Sequence, residues 1–281
     1  MRHNRFILPL LIAALAACTP IEPAATDSMV VEGWIESGAP PVVMLSYTIT
    51  PTSEKKTFDS LADQIEKWAR VAISDGEKEV VLTGMPSKNH FPGYIYTTGR
   101  MFGQAGKTYT ITITTDVHTC VARTVIPKPV PLTSVEPVPY GDDNTGWKIK
   151  VNWIDDPGEH NVYKAFSRIE KVDSLFASSL LNTLDDSVIA SGGKGEMYIT
   201  PSQNVYREDS HRGRFLSGER VNLKFCTADP ALADMLLSLD DSMTGSGLPI
   251  FVSNKNIQGN VSGALGYFVG YGRTDYTVDI P

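Results

Sequence analysis

Long apolar runs are missing from this chain of 281 residues. The one apolar stretch near its start, "FILPLLIAALAA", holds 12 residues, whereas crossing a bilayer core as a helix takes about 20. It does not span a membrane. Basic residues are in deficit as well, 25 Lys and Arg against 32 Asp and Glu, so the basic excess expected of a nucleic-acid binder is absent. Cysteine and histidine are scarce, at 3 and 5. His90, His118, His160 and His211 stand isolated, with no His-Glu-x-x-His and no Cys-x-x-Cys, which excludes recognisable zinc and redox motifs. Each of these histidines is read as a surface or loop residue.

Other chemistry fails on spacing. The C-terminal stretch "NIQGNVSGALGYFVGYG" is glycine-rich, yet it contains neither Gly-x-Gly-x-x-Gly nor the Walker pattern, and β-type residues follow it where a helix would have to begin. Its glycines are therefore expected to mark bulges and close backbone approaches in strands. No serine sits in Gly-x-Ser-x-Gly. The acidic pairs Asp142-Asp143, Asp155-Asp156, Asp185-Asp186 and Asp240-Asp241 are adjacent, and neighbouring side chains point different ways on a strand or helix, so none is a glycosidase dyad. "GDDNTGW", with Asp142, Asp143 and Asn144, lacks the spacing of a calcium loop and reads as a turn. No enzymatic activity, metal or cofactor is expected.

The first residues form a separate object. Arg2 and Arg5 precede an apolar run of the length of a signal-peptide core. It ends in Leu15-Ala16-Ala17-Cys18, which resembles the bacterial lipobox, where the leader is cut before a cysteine that receives the acyl chains. Residues 1–17 are thus read as a lipoprotein signal and Cys18 as the lipidation site; an ordinary secretory signal that happens to precede a cysteine is the alternative. Two or three chains would hold the protein stably on a membrane. Residues 18–28, with "TPIEPAATDS", read as a short extended tether. Losing the two leader arginines leaves 23 basic against 32 acidic residues, a net −9.

Beyond the tether the pattern is β-rich, and the fold class expected is mainly β: an N-terminal β-sandwich of immunoglobulin or transthyretin type over 29–126, a proline-rich junction over 127–146, and a second β-rich domain with one or two short helices over 147–281. "MVVEGWI" and "PVVMLSYTI" are strand-like, "GKTYTITITTD" alternates, and Asp75-Gly76 in "ARVAISDGEKEVVLTG" is a hairpin turn. The prolines of "PKPVPLTSVEPVP" argue for stiff, extended chain without regular structure. Later, "WKIKVNWID", "NVYKAFSRIEKV" and "GERVNLKF" read as strands. "DSLFASSLLNTLDDSVIA" has helical spacing with an Asp173-Ser174 start, and "DPALADMLLSLDDSM" reads as a helix capped by Asp229 with Pro230 in its first turn. Cys120 and Cys226, 106 residues apart, are read as buried thiols rather than a disulfide.

Taken together, "MVVEGWI" soon after the lipobox cysteine, "ARVAISDG", "GQAGKTYTITIT", "FLSGERVNLKF" and the terminal "NIQGNVSGALGYFVGYG" resemble the Bacteroidota outer-membrane lipoproteins grouped as domain of unknown function 4249. The resemblance covers the chain from about Cys18 to its end. It implies an anchored protein, at the cell surface or on the periplasmic face, that assists a TonB-dependent transporter in substrate capture or gating. The alternative is an adhesive or structural surface lipoprotein without a transporter partner. Where the family tends to be tyrosine-rich, this chain has "TADPALADMLLSLDDSM". Two surface features complete the expectations. The most charged loop, "EDSHRGRFLSGER", offers Asp209, His211, Arg212 and Arg214 as a ligand or partner contact. The Asp-Ser-apolar triplets at Ser28 and Ser60 resemble acceptors of Bacteroidota O-glycosylation.

Overall fold

Strand β1 (Met29–Glu36) and the long C-terminal strand β16 (Leu265–Asp279) pair in parallel, Val30 opposite Leu265 through Glu36 opposite Tyr271. In the computed structural model, which describes residues 28–48, 64–141, 146–156, 158–189, 193–202, 213–246 and 258–281, this pairing joins the two ends of the chain inside one sheet. The leader, Cys18, Ser60, the Asp142–Asn144 turn and Asp209, His211 and Arg212 lie outside the described residues. Among the described residues the fold is mainly β with a single short α-helix.

The sheet has eight strands. From β1 it continues through β2 (Val42–Tyr47), β6 (Tyr94–Thr97) and β5 (Thr83–Pro86); from β16 it continues through β14 (Arg220–Ala228), β11 (Val162–Ile169) and β12 (Ala177–Asp185). Alternation decides which side chain meets which core. Val31 and Ile35 of β1 and Phe268 of β16 point to the same face, where they meet a five-stranded sheet of β3 (Arg70–Ser74), β4 (Glu79–Val81), β7 (Thr108–Thr114), β8 (Thr119–Val125) and β15 (Val261–Ser262). Further along that face, Val278, Leu223, Phe225 and Tyr163 meet a three-stranded sheet of β9 (Leu132–Tyr140), β10 (Gly146–Ile154) and β13 (Lys194–Ile199). Two sandwich cores thus lie side by side on one continuous sheet. The opposite face is covered in part by α1 (Ala233–Ser246).

Local chemistry accounts for most elements. The hairpin β3–β4 turns at Asp75-Gly76, where Gly76 has φ +91° and the Asp75 carboxylate accepts from Glu77 N and Lys78 N. Asp229 caps the helical segment as expected, accepting from Ala231 N at 3.1 Å with Pro230 in the first turn. That segment opens as a 3-10 turn, Pro230–Leu232, before α1 begins. Cys120 and Cys226 are free and buried.

Two expectations are corrected. The stretch expected as a helix from Asp173 is strand β12, paired with β11, followed by a 3-10 turn at Asp186–Val188. Its serines, Asn182 and Thr183 compete poorly as helix formers, and β11 offers them an open ladder. Asp173 does not cap a helix; its carboxylate accepts from Ile169 N and closes the turn after β11. The proline-rich stretch, expected to lack regular structure, supplies β9. Pro137 and Pro139 sit opposite Ile149 and Trp147 on the edge of the three-stranded sheet. Spaced two apart, they remove donors from one side of the strand only, and an edge strand needs none on its outer side.

Candidate functional site

The face of the long sheet opposite the two sandwich cores holds most of the charged side chains buried among the described residues; Asp155, which accepts from the Tyr163 hydroxyl on the second-core side, is an exception. Even-numbered residues of β1 and odd-numbered residues of β16 point here, so Glu32, Trp34 and Glu36 stand beside Tyr267, Val269, Tyr271 and Arg273. Leu232, Met235, Leu236 and Leu239 pack on Val162, Cys226, Ala228, Val269 and Tyr271 and close the middle of the face.

Three arrangements divide the charge. Beneath α1, the buried Lys164 ammonium donates to Asp240 Oδ1 at 2.8 Å and to Thr183 Oγ1 at 2.6 Å, while Thr183 N donates to Asp240 Oδ2 at 2.9 Å. Beyond the helix, Glu36 accepts from Lys224 Nζ at 2.7 and 2.8 Å and from Arg273 at 2.6 Å. The Phe176 ring lies 4.5 Å from Lys224 Nζ and 5.0 Å from the Arg168 guanidinium carbon. Arg273 also pairs with Asp275 at 2.9 Å, so Lys164, Lys224 and Arg273 each have a carboxylate partner. Glu32 is different. It is 8% exposed and has no hydrogen-bond or ionic partner among the described residues, and burial pushes its carboxyl up to about 7. Its strand neighbours are Tyr267 and Met44, and the ring of Trp34, two residues on, lies tilted against that of His90 with centroids 5.9 Å apart. Burial lowers the His90 pKa.

Neither thiol is poised for nucleophilic chemistry. Burial raises the Cys226 and Cys120 pKa values, which holds both as thiols. The contact of Ser87 Oγ with His90 Nδ1 at 2.7 Å is a local turn contact between residues three apart.

A second convergence lies at the far edge of the sheet. His160 Nε2 is 2.9 Å from Asp185 Oδ2 and 3.7 Å from Asp186 Oδ1, and this is the one described trio of His, Cys or acidic groups whose donor atoms come within 4.8 Å of one another. The adjacent aspartates were expected to diverge. They converge because the 3-10 turn starts between them: Asp185 caps it through Ser187 N, and Asp186 Oδ2 accepts from Asn161 N at 2.6 Å. Hydrogen bonding to Asp185 raises the His160 pKa. The trio accounts for itself as an ion pair on a capped turn.

Of the residues expected to form a contact surface, Arg214 is half-buried. Its side chain lies across Gly146, and a Cβ there would overlap the arginine stem. The next residue, Phe215, is fully buried and exchanges backbone hydrogen bonds with Trp147. Arg214 and Phe215 are therefore held against the second core, while Ser217, Gly218 and Arg220 further along the stretch are exposed. Ser28, the described glycosylation candidate, donates its N–H to Thr48 Oγ1 at 2.9 Å.

The order of the strands and the family comparison agree in extent. The family described as domain of unknown function (DUF4249) matches residues 18–277. The chain belongs to this family. No curated protein matches it. The family match runs from Cys18 into β16, so the shared strand belongs to the family's domain along with both cores. Sequence spacing missed Lys164 with Asp240 and Glu36 with Lys224 and Arg273, because these partners lie 76 to 237 residues apart, and it missed Glu32, whose burial depends on neighbouring strands distant in sequence. The usable signal is the pair Glu32 and Glu36, four apart and so on one face of an otherwise apolar strand, "VVEGWIE".

Proposed function

We propose that this protein is a lipid-anchored outer-membrane accessory protein of the Bacteroidota type that assists a TonB-dependent transporter in substrate capture or gating, without enzymatic activity. What carries the anchored part is the position of Cys18: it follows an apolar leader that ends in small residues, and it is the residue at which the family match begins. A diacyl or triacyl cysteine meets the requirement for more than one membrane-binding signal. The transporter partner rests on the family resemblance alone.

A binding role suits the way this protein disposes its charges. Lys164 with Asp240 and Lys224 with Arg273 and Glu36 satisfy one another. The test is purification of the native protein under mild detergent with identification of the membrane protein that comes with it. A TonB-dependent transporter is the expected partner. Recovery of fimbrial or matrix components in its place favours an adhesive lipoprotein. In parallel, Cys18→Ala is expected to move the protein from the membrane fraction to the soluble one.

A further inference from the structure

The two most exposed large apolar side chains among the described residues are Trp68, 93% exposed, and Val117, 78% exposed. They come from different parts of the chain, yet both sit at the end of the first sandwich where the chain emerges at Ser28. Thr48 and Ser28 exchange hydrogen bonds there. Tyr47, next to Thr48, ties the rest together: its hydroxyl donates to Glu66 Oε2 at 2.9 Å, and its ring packs 6.4 Å from that of His118 at the β7–β8 tip. Glu66 Oε1 accepts from Trp68 N at 2.6 Å, and Thr115 Oγ1 accepts from His118 N at 3.0 Å. Both backbones are pinned, so the two side chains are held outward. The third such residue, Val188, 75% exposed, follows β12 on the opposite edge of the long sheet.

We infer that this end of the molecule rests on the phospholipid bilayer that holds the Cys18 acyl chains, with Trp68 and Val117 entering the interface. The inference rests on the anchored reading above. Residues 18–27 separate the acylated cysteine from Ser28, and ten residues reach about 35 Å at full extension. The end that carries Ser28 is thereby kept near the lipid. A tryptophan ring joins an apolar body to an N–H donor and favours the headgroup level. The exposed Lys67 beside it adds a cation for lipid phosphates. One tryptophan and one valine bind too weakly to hold a protein on a membrane by themselves; they orient a body that the acyl chains already retain. The orientation has a consequence. β16 starts opposite Val30 at this end and runs 15 residues away from it, so the second core stands off the bilayer on a strand roughly 50 Å long.

The experiment uses the mature lipidated protein in vesicles of phosphatidylethanolamine and phosphatidylglycerol, with and without brominated phosphatidylcholine, which quenches indole emission on contact. Of the four tryptophans, Trp68 is the one expected to be quenched. Trp68→Phe is expected to lose the quenching and Val117→Asp to weaken it; because both side chains project into solvent, neither change is expected to disturb folding, as thermal melts verify. If the wild-type protein floats with the vesicles and its emission is the same in both lipids, the docking inference is overturned while the anchor stands. If the intact mass shows no acyl chains and the protein does not float, the anchored reading fails and the docking falls with it.

Discussion

At Glu32 a single carboxyl couples the stability of the fold to pH. Its folded pKa is raised from 4.5 to about 7 by burial, so protonation favours the folded state. The stability it allows is fully present below pH 4.5 and is lost as pH rises through about 7. The gap between the two values corresponds to about 3 kcal/mol. Glu32→Gln keeps the shape and removes the charge. It is expected to leave the melting temperature nearly unchanged below pH 4.5 and to raise it above pH 7, which thermal melts at both ends of that window check. A variant that gains nothing at high pH would mean that Glu32 finds a partner when ionised. Gly266 carries the opposite kind of constraint. Its φ is +104°, and a Cβ would overlap the Val31 carbonyl oxygen on the neighbouring strand. Gly266→Val is therefore expected to destabilise the protein by about 3 kcal/mol or more, measured as a lower melting temperature and poorer yield. Unchanged melting together with lost ligand affinity would make this stretch a binding loop instead.

Among the elements, α1 is held by two kinds of force. Met235, Leu236 and Leu239 bury apolar surface on the sheet, and Asp240 reaches down to Lys164 and Thr183. A buried ion pair adds little over an apolar replacement, yet removing one partner leaves the other charge stranded. Asp240→Leu is expected to cost about 3 to 5 kcal/mol in denaturant titrations. Adding Lys164→Met to it is expected to recover most of that loss, because the stranded ammonium goes too. Equal stability of the single and double variants would show that Lys164 escapes to solvent. At the other end of the segment, Asp229 does two jobs. One carboxylate oxygen caps the helical turn through Ala231 N, and the other accepts from Thr124 Oγ1 and Val125 N of β8. The same Thr124 hydroxyl accepts from Gly270 N of β16. The helix start, the five-stranded sheet and the shared strand thus meet at one aspartate.

Across the whole molecule, the shared sheet makes the two cores dependent on each other. β16 contributes Phe268 to the first core and Val278 to the second, and it lies between β1 and β14. Melting either core strips pairing from the strand that both need. A single cooperative thermal transition is therefore expected by calorimetry, with equal calorimetric and van't Hoff enthalpies. Two resolved transitions would mean that the sheet breaks at β16 and that each sandwich stands alone.

Much of this was legible from residue order alone. The alternation of "TYTITIT", the Asp75-Gly76 turn, and the Asp229-Pro230 cap are local, each decided within a few residues by backbone sterics and side-chain hydrogen bonding. The mainly β class follows from them; of the C-terminal glycines, Gly266, Gly270 and Gly272 lie in β16, while Gly259 and Gly263 lie outside the strands. Tertiary structure decided the rest. "SSLLNTL" became a strand because β11 left an edge to pair with, and β9 kept its prolines because it lies on an edge. The candidate face was invisible for the same reason: Glu36 meets Arg273 across 237 residues, and parallel pairing of the first strand with the last leaves no trace in local periodicity. Hydrogen bonds within a turn are specified by neighbours in sequence, whereas the order of strands in a sheet is specified by which apolar faces can be buried together. That choice is made only once the whole chain has collapsed.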